Sequence, residues 1–237
     1  MIDFYYYPTP NCKKVAILLE ESGLIYNVIP VSITKGEQFK AEFLKLFPNN
    51  RIPGIVDHDP TGGGESLRVF ESGAILFYLA EKAGQFLPSD MRARTEVHIW
   101  LMWQMAGLGP ICGQSHHFHG YAPPGQDYAV TRFFNEVSRL YAVLDQLLAD
   151  REFIAYDYSI ADMACFPWIG EHGQQRQKLE DFPNIRRWYR AIGTRPAIQR
   201  AQMLADKVDA NVKVTDESRK YLFGQTAEHV RTRSIGS

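Results

Sequence analysis

The hydrophobic patterning of the chain predicts two units in tandem, an α/β unit of order βαβαββα followed by an all-helical (all-α) one. Three observations carry this. Strand and helix signals alternate over the first third of the sequence. A glycine-rich turn cluster, Asp59-Pro60-Thr61-Gly62-Gly63-Gly64, then separates two short apolar runs. From Arg92 onward strand signals nearly vanish and long helical periodicities take over.

Taken in order, Ile2 to Tyr7 is a β-rich run. Asn11 to Ser22 follows with Val15, Leu18 and Leu19 at helical spacing and stops at Gly23, a residue suited to the left-handed position after a helix. Tyr26 to Ser32 is a second strand. Gln38 to Phe47 is a second helix, with Phe39, Phe43, Leu44 and Phe47 on one face. Gly54 to His58 and Leu67 to Phe70 bracket the glycine cluster as a hairpin. A helix opens at Glu71-Ser72 and runs through Lys82 to Gly84. Residues 1–84 therefore have the order and size of a thioredoxin-like domain. Gln85 to Asp90, holding Pro88, is the expected linker. Helices at Arg92 to Leu108, Asp127 to Ala149, Ile160 to Glu171 and Pro183 to Gly193 fill a second domain, 92–203. Its Ser159-Ile160-Ala161-Asp162 has the form of a capping box. Residues 204–237, closing on Arg231-Thr232-Arg233-Ser234-Ile235-Gly236-Ser237, read as a partly ordered tail.

Composition narrows the function. The 237 residues are 45% hydrophobic and 22% charged, with a net charge of −1, which excludes disordered and disulfide-scaffold classes. No basic stripe points to nucleic acid. Met1-Ile2-Asp3 carries an acid where a signal peptide carries positive charge, and apolar runs such as Ala74 to Ala80 are too short to span a bilayer. A cytoplasmic protein with no membrane partner is the expectation. Cys12, Cys112 and Cys165 are odd in number and without framework spacing, so structural disulfides are not expected.

Three segments hold the candidate chemistry. In Asn50-Arg51-Ile52-Pro53-Gly54, a proline precedes a strand. A cis Ile52-Pro53 bond would turn the Ile52 backbone outward to pair with an extended peptide, whereas a trans proline would simply begin an edge strand. In Phe70-Glu71-Ser72-Gly73, Ser72 can cap a helix whose free amides suit a carboxylate, with Glu71 beside it for an ammonium; a plain cap with an exposed glutamate is the other reading. In Thr9-Pro10-Asn11-Cys12, threonine stands where a redox C-x-x-C pair has its nucleophile. Thr9 and Asn11 can instead donate hydrogen bonds to a thiolate at the helix N-terminus, a sulfur the protein would have to borrow.

With the domain layout, these segments resemble the glutathione transferase superfamily over about the first 200 residues. Pro8-Thr9-Pro10-Asn11, Pro48-Asn49-Asn50-Arg51-Ile52-Pro53, Phe70-Glu71-Ser72-Gly73-Ala74-Ile75 and Gly107-Leu108-Gly109-Pro110 with Gln114 and His116-His117-Phe118 resemble the bacterial nu class, related to nitrogen-regulator-like transferases. The resemblance implies a glutathione-dependent disulfide-bond oxidoreductase, with glutathione as co-substrate, no metal, and a homodimer. It implies that Thr9 and Asn11 face the sulfur, that Ile52 and Pro53 meet the tripeptide backbone, and that Glu71 and Ser72 hold the γ-glutamyl end. Gln38 and Arg132 match further glutathione contacts, the arginine across a dimer or within one chain. Two rivals remain at this point: a transferase conjugating glutathione to electrophiles, and a non-catalytic ligand-binding scaffold.

Other residues draw notice without the same support. Tyr5, Tyr6 and Tyr7 could offer a sulfur-activating hydroxyl but are also ordinary strand packing. Cys12 holds the resolving position yet suits a buried small residue. His116, His117 and His119 with Cys112 match no zinc spacing. Trp100, Met102, Trp103 and Met105 either roof a cleft or belong to the core.

Overall fold

A computed structural model describes residues 1–208 and 214–227. Strands β1 (Ile2–Tyr6), β2 (Tyr26–Pro30), β3 (Gly54–Asp57) and β4 (Leu67–Phe70) form one sheet of order β2-β1-β3-β4. β1 is parallel to β2 and antiparallel to β3, which pairs antiparallel with β4. A parallel pair needs a crossover, and α1 (Pro10–Ser22) supplies it. With α2 (Ala41–Leu46) and α3 (Ser72–Ala83) the order is βαβαββα, a thioredoxin-like domain as expected.

The two-residue period of β1 sorts its side chains. Ile2, Phe4 and Tyr6 enter the core shared with α1 and α3, while Tyr5 faces Phe43 and Phe47 on the other side, ring centroids 6.0 and 5.0 Å away. Thr9 starts α1 by accepting the Cys12 amide at 3.3 Å, Pro10 occupies the first turn, and Gly23 ends the helix at φ +71°. Gly54 is required by packing: a Cβ there would lie 2.5 Å from the Phe47 ring.

The helical domain comprises α4 (Met91–Trp103), α5 (Gly109–His116), α6 (Asp127–Leu147), α7 (Ile160–Ile169), α8 (Pro183–Gly193) and α9 (Pro196–Met203). All ten residues of α7 are buried, and α7 and α9 pack directly against α1. Glu21 and Glu20, at the end of α1, pair with Arg195 at 2.5 Å and Arg200 at 2.6 Å. Among the described residues no helix is long and apolar enough to cross a membrane.

Two expected helices are broken. The one expected over Gln38 to Phe47 is a 3-10 turn, Glu37–Phe39, and then α2, because Lys40 between them is extended at ψ 144°. The break lets Gln38 turn inward and donate to the Ile33 carbonyl at 3.2 Å. The helix expected over Arg92 to Leu108 ends at Trp103 and opens into a π turn, Gln104–Leu108, where the Gly109 amide reaches back to the Gln104 carbonyl. Pro110 has no N–H with which to continue the regular ladder, and such turns commonly mark functional sites. A further helix, α10 (Asp216–Phe223), lies within the segment expected to be a tail. Residues 209–213 and 228–237, including the Arg231 to Ser237 end, lie outside the described residues.

The capping box is present. Asp162 is fully buried and accepts from Ser159 N and Ile154 N, both at 3.0 Å, and from Trp188 Nε1 at 2.8 Å. Removing that carboxylate strands three buried donors, so Asp162→Ala is expected to cost about 3 kcal/mol of unfolding free energy, against about 1 kcal/mol for Ser159→Ala. Urea melts of the two variants would check the ranking.

Candidate functional site

The turn from β1 into α1 projects Thr9 and Asn11 into a cleft between the two domains. Thr9 Oγ1 accepts the Cys12 amide, which leaves its own proton free to be donated outward. Asn11 is more tightly defined. Its Oδ1 accepts from Trp168 Nε1 at 3.1 Å, and an indole nitrogen can only donate. That contact settles which end of the amide is oxygen, and Nδ2 is the end left over for a ligand. The turn therefore presents hydrogen-bond donors at a helix N-terminus, an arrangement that attracts an anion.

The other residues that the resemblance assigns to glutathione lie before β3, in the 3-10 turn Glu37–Phe39, at the start of α3 and, for Arg132, on α6. The Ile52-Pro53 bond is cis, which answers the alternative left open by the sequence. Gln38, 2% exposed, leaves its buried Oε1 without a partner among the described residues. Glu71 adopts φ +69°, uncommon for a residue with a Cβ, and Asn49 donates to its Oε1 at 3.0 Å. Ser72, the first residue of α3, is buried and within 3.3 Å of Lys14 Nζ.

Thr9, Asn11, Gln38, Ile52 and Glu71 line two adjoining cavities that share Asn11 and Arg51, while Pro53 and Ser72 are buried and line neither. The smaller, of about 640 Å³, is lined by Thr9, Gln38, Asn50 and Ile52. The larger, of about 1080 Å³, runs toward the helical domain past Lys14, Glu71, Gln104, Met105, His117 and Trp168. Arg132 is not brought to either; on α6 its side chain is 59% exposed, with Glu136 3.9 Å away. Of the four residues considered as a roof, Met105 lines the large cavity, Met102 points to solvent and Trp100 lines a separate surface hollow.

The other candidates fall to burial. Cys12 is fully buried and its thiol is pushed up to about 12, so it is no thiolate at neutral pH. Burial likewise raises Cys112 and Cys165. The Tyr6 and Tyr7 hydroxyls are buried without a partner among the described residues, and burial lifts Tyr6 far above a tyrosine's ordinary value. His116 packs 6.0 Å from the Trp168 ring and is held below its usual value by burial, while His117 faces the large cavity. Among the described residues no cluster of His, Cys, Asp or Glu is placed to hold a metal.

Sequence reasoning missed four contributors: Lys14, Gln104, Trp168 and α10. Phe223 of α10 lines the large cavity beside His117, whose ring it meets at 4.8 Å. Tyr221 and Leu222 line the small one, and Gln225 accepts from Asn50 Nδ2 at 2.8 Å. The capping pattern Thr215-Asp216-Glu217-Ser218 could have located that helix. Nothing local shows where it docks.

Residues 2–81 match the glutathione S-transferase N-terminal domain. Over 210 residues the chain is 48% identical to the disulfide-bond oxidoreductase YfcG of Escherichia coli, covering 88% of this chain and 98% of that one. The chain belongs to the glutathione transferase family. Among solved structures of that family, a Pseudomonas fluorescens member with two glutathiones bound superposes with a TM-score of 0.80 at 41% identity, over 84% of this chain and 91% of the other. A Pseudomonas putida glutathione transferase with one glutathione disulfide bound per subunit gives the same score and identity, over 84% and 90%.

Removing residues 214–237 from this transferase should open the cleft beside Trp168 and increase acrylamide quenching of tryptophan fluorescence, since Trp168 lines the cavity that Phe223 closes. Unchanged quenching would mean that α10 does not cover the cleft in solution.

Proposed function

We propose that the protein is a glutathione-dependent disulfide-bond oxidoreductase in which bound glutathione provides the nucleophile. The observation that carries the reading is the pairing of a fixed donor with a missing sulfur. Trp168 pins Asn11 so that its NH₂ end is free, while the cysteine of the same turn is buried and protonated. An apposed thiol is thus stabilised as thiolate by Asn11 Nδ2, the Thr9 hydroxyl and the N-terminus of α1, all donors favouring the anion. Ile52 and Pro53 meet the tripeptide backbone; Glu71 and Ser72 take the γ-glutamyl ammonium and carboxylate; and the unpartnered Oε1 of Gln38 accepts from the ligand.

The chemistry is two thiol–disulfide exchanges. The held glutathione thiolate attacks one sulfur of the substrate disulfide, forming a mixed disulfide and expelling a thiolate that takes a proton. A second glutathione thiolate then attacks the glutathione sulfur, releasing the second substrate thiol and glutathione disulfide. Two cavities meeting at Asn11 suit two tripeptides, and relatives of this chain hold two glutathiones or their disulfide. The protein contributes a stabilised thiolate and the alignment of sulfurs.

The same reading assigns residues 1–84 to glutathione binding, 92–203 to the disulfide substrate and dimer contacts, and 204–237 to a segment that returns over the cleft. A homodimer is part of the proposal. Phe70, Phe77, Ile99 and Met102 are exposed apolar residues on β4, α3 and α4, and Arg132, outside its own cleft, is available to a second copy. Three buried free cysteines accord with a reducing compartment such as the cytoplasm, and neither a nucleic acid nor a membrane is part of the reading.

The deciding assay is reduction of 2-hydroxyethyl disulfide by glutathione, coupled to NADPH oxidation through glutathione reductase. Protein-dependent turnover is expected to survive Cys12→Ser and to fall on the order of 100-fold in Asn11→Ala, the scale of losing a preorganised donor to a developing anion. A rate no higher than the glutathione background would remove disulfide reduction and leave carbon conjugation or ligand binding. Trp168→Phe keeps the ring but frees the Asn11 amide, and should lower kcat/KM roughly tenfold while changing stability by about 1 kcal/mol. An unchanged kcat/KM would show that Asn11 needs no such anchor.

A further inference from the structure

The floor of the large cavity holds a charge-bearing group that the reaction above does not use. Lys14, on the second turn of α1, is 1% exposed, and among the described residues no carboxylate pairs with its amine. Its Nζ lies 2.6 Å from Gln104 Oε1, 3.3 Å from Ser72 Oγ and 3.3 Å from Met105 Sδ, which are neutral acceptors. Burying an ammonium on such partners is costly, and a lysine so placed usually serves a ligand or gives up its proton. A second feature points the same way. Gln104 Nε2, beside Lys14 on the same cavity wall, is buried without a partner among the described residues, and it fits only because residue 109 is glycine: a Cβ there would lie 2.7 Å from it.

We propose that Lys14 is an anion-responsive positioning residue: its buried amine takes a proton from solvent as the ligand docks, and the resulting ammonium holds the ligand's carboxylate through the Ser72 hydroxyl. The inference rests on the glutathione reading and adds a group to it. Without a ligand carboxylate the acid that acts on the amine is Glu71, with which it forms no ion pair. With a ligand carboxylate bound at Ser72, an opposite charge sits one hydroxyl away, in a low-dielectric floor where that attraction is strong.

Besides Arg51 and His117, which line the same cavity, the surroundings leave few other sources of charge. From α3 and its N-terminus come Ser72 and Glu71, the latter engaged by Asn49. From α7 comes Cys165, kept protonated by burial, with Trp168 turned to Asn11. The π turn contributes Gln104 and Met105, both uncharged. On α1 itself, Lys13 is paired with Glu171, and the α9 arginines are paired with Glu20 and Glu21 at the far end of the helix. Burial pulls the Lys14 amine down to about 7, so at rest it is only part-charged at neutral pH, and a docked anion raises it again. Proton uptake on binding means that affinity falls as pH rises through the range between the resting and liganded values.

The test uses S-methylglutathione, which keeps both carboxylates but has no thiol to ionise, titrated calorimetrically into the full chain at about pH 7.5 in phosphate and in Tris. Their different ionisation enthalpies report the protons taken up. Wild type should take up a sizeable fraction of a proton per ligand, and its Kd should rise at least about tenfold between about pH 6.5 and 8.5. In Lys14→Met both the uptake and the pH dependence should vanish, with affinity at about pH 6.5 weakened roughly tenfold. His117→Asn, which removes the imidazole facing the same cavity, should retain the uptake. Binding without uptake in wild type, uptake that persists in Lys14→Met, or uptake lost in His117→Asn would each overturn the role of Lys14 while leaving the glutathione site standing. No binding at all would overturn the glutathione reading and this inference with it. Binding without uptake in the wild type overturns the role of Lys14 even if the methionine variant fails to fold.

Discussion

A single helix is shared by everything this molecule does. α1 closes the sheet's core on one side and takes the weight of α7 and α9 on the other. A thioredoxin-like domain alone would leave that second face wet. Here the face is buried, and the hydrogen bond from Trp168 to Asn11 crosses the same interface at the helix's first turn. The orientation of a cleft amide in one domain is therefore set by an indole in the other, and neither domain holds the site by itself.

The same interface explains why charge is distributed as it is. Along α1 the acidic residues at its end pair across to Arg195, just before α9, and Arg200, within it, in partly exposed contacts each worth little in isolation. Near the start, where burial is complete, the one basic side chain that points inward meets only neutral acceptors. Pairing is exhausted where it serves docking of the domains and withheld where the cleft floor begins.

Much of this was legible from sequence, and the misses share a cause. Local periodicity and turn chemistry gave β1 to α3 in order, and the Ser159–Asp162 box, because each depends on residues within a few positions of one another. Thr9, Asn11 and Ile52 could be named because they lie in short motifs, and Gln38 through the family resemblance alone; the fold gathers all four around one cavity. Lys14 could not, since a lysine in a helix reads as a solvated residue until the helix is covered on all sides. The π turn at Gln104 was hidden because Gly109-Pro110 disturbs the ladder without interrupting the apolar pattern that announces a helix. Trp168 and Phe223 reach the cleft across separations of 157 and more residues, which no local spacing encodes. Arg132 is the reverse case: named through the family resemblance, yet placed by the fold on an exposed helix face.

The contact between Asn50 and Gln225 joins residues 175 positions apart, and it bears on how the protein comes into being on the ribosome. Domains fold largely as they emerge, N-terminal first. The turn bearing Asn50 can be in place long before residue 225 has been made, so during synthesis the small cavity stands without the wall that Tyr221 and Leu222 later provide. Until residues 221–225 have been made, the side chain of Asn50 has no Gln225 to reach, and the small cavity has no α10 wall.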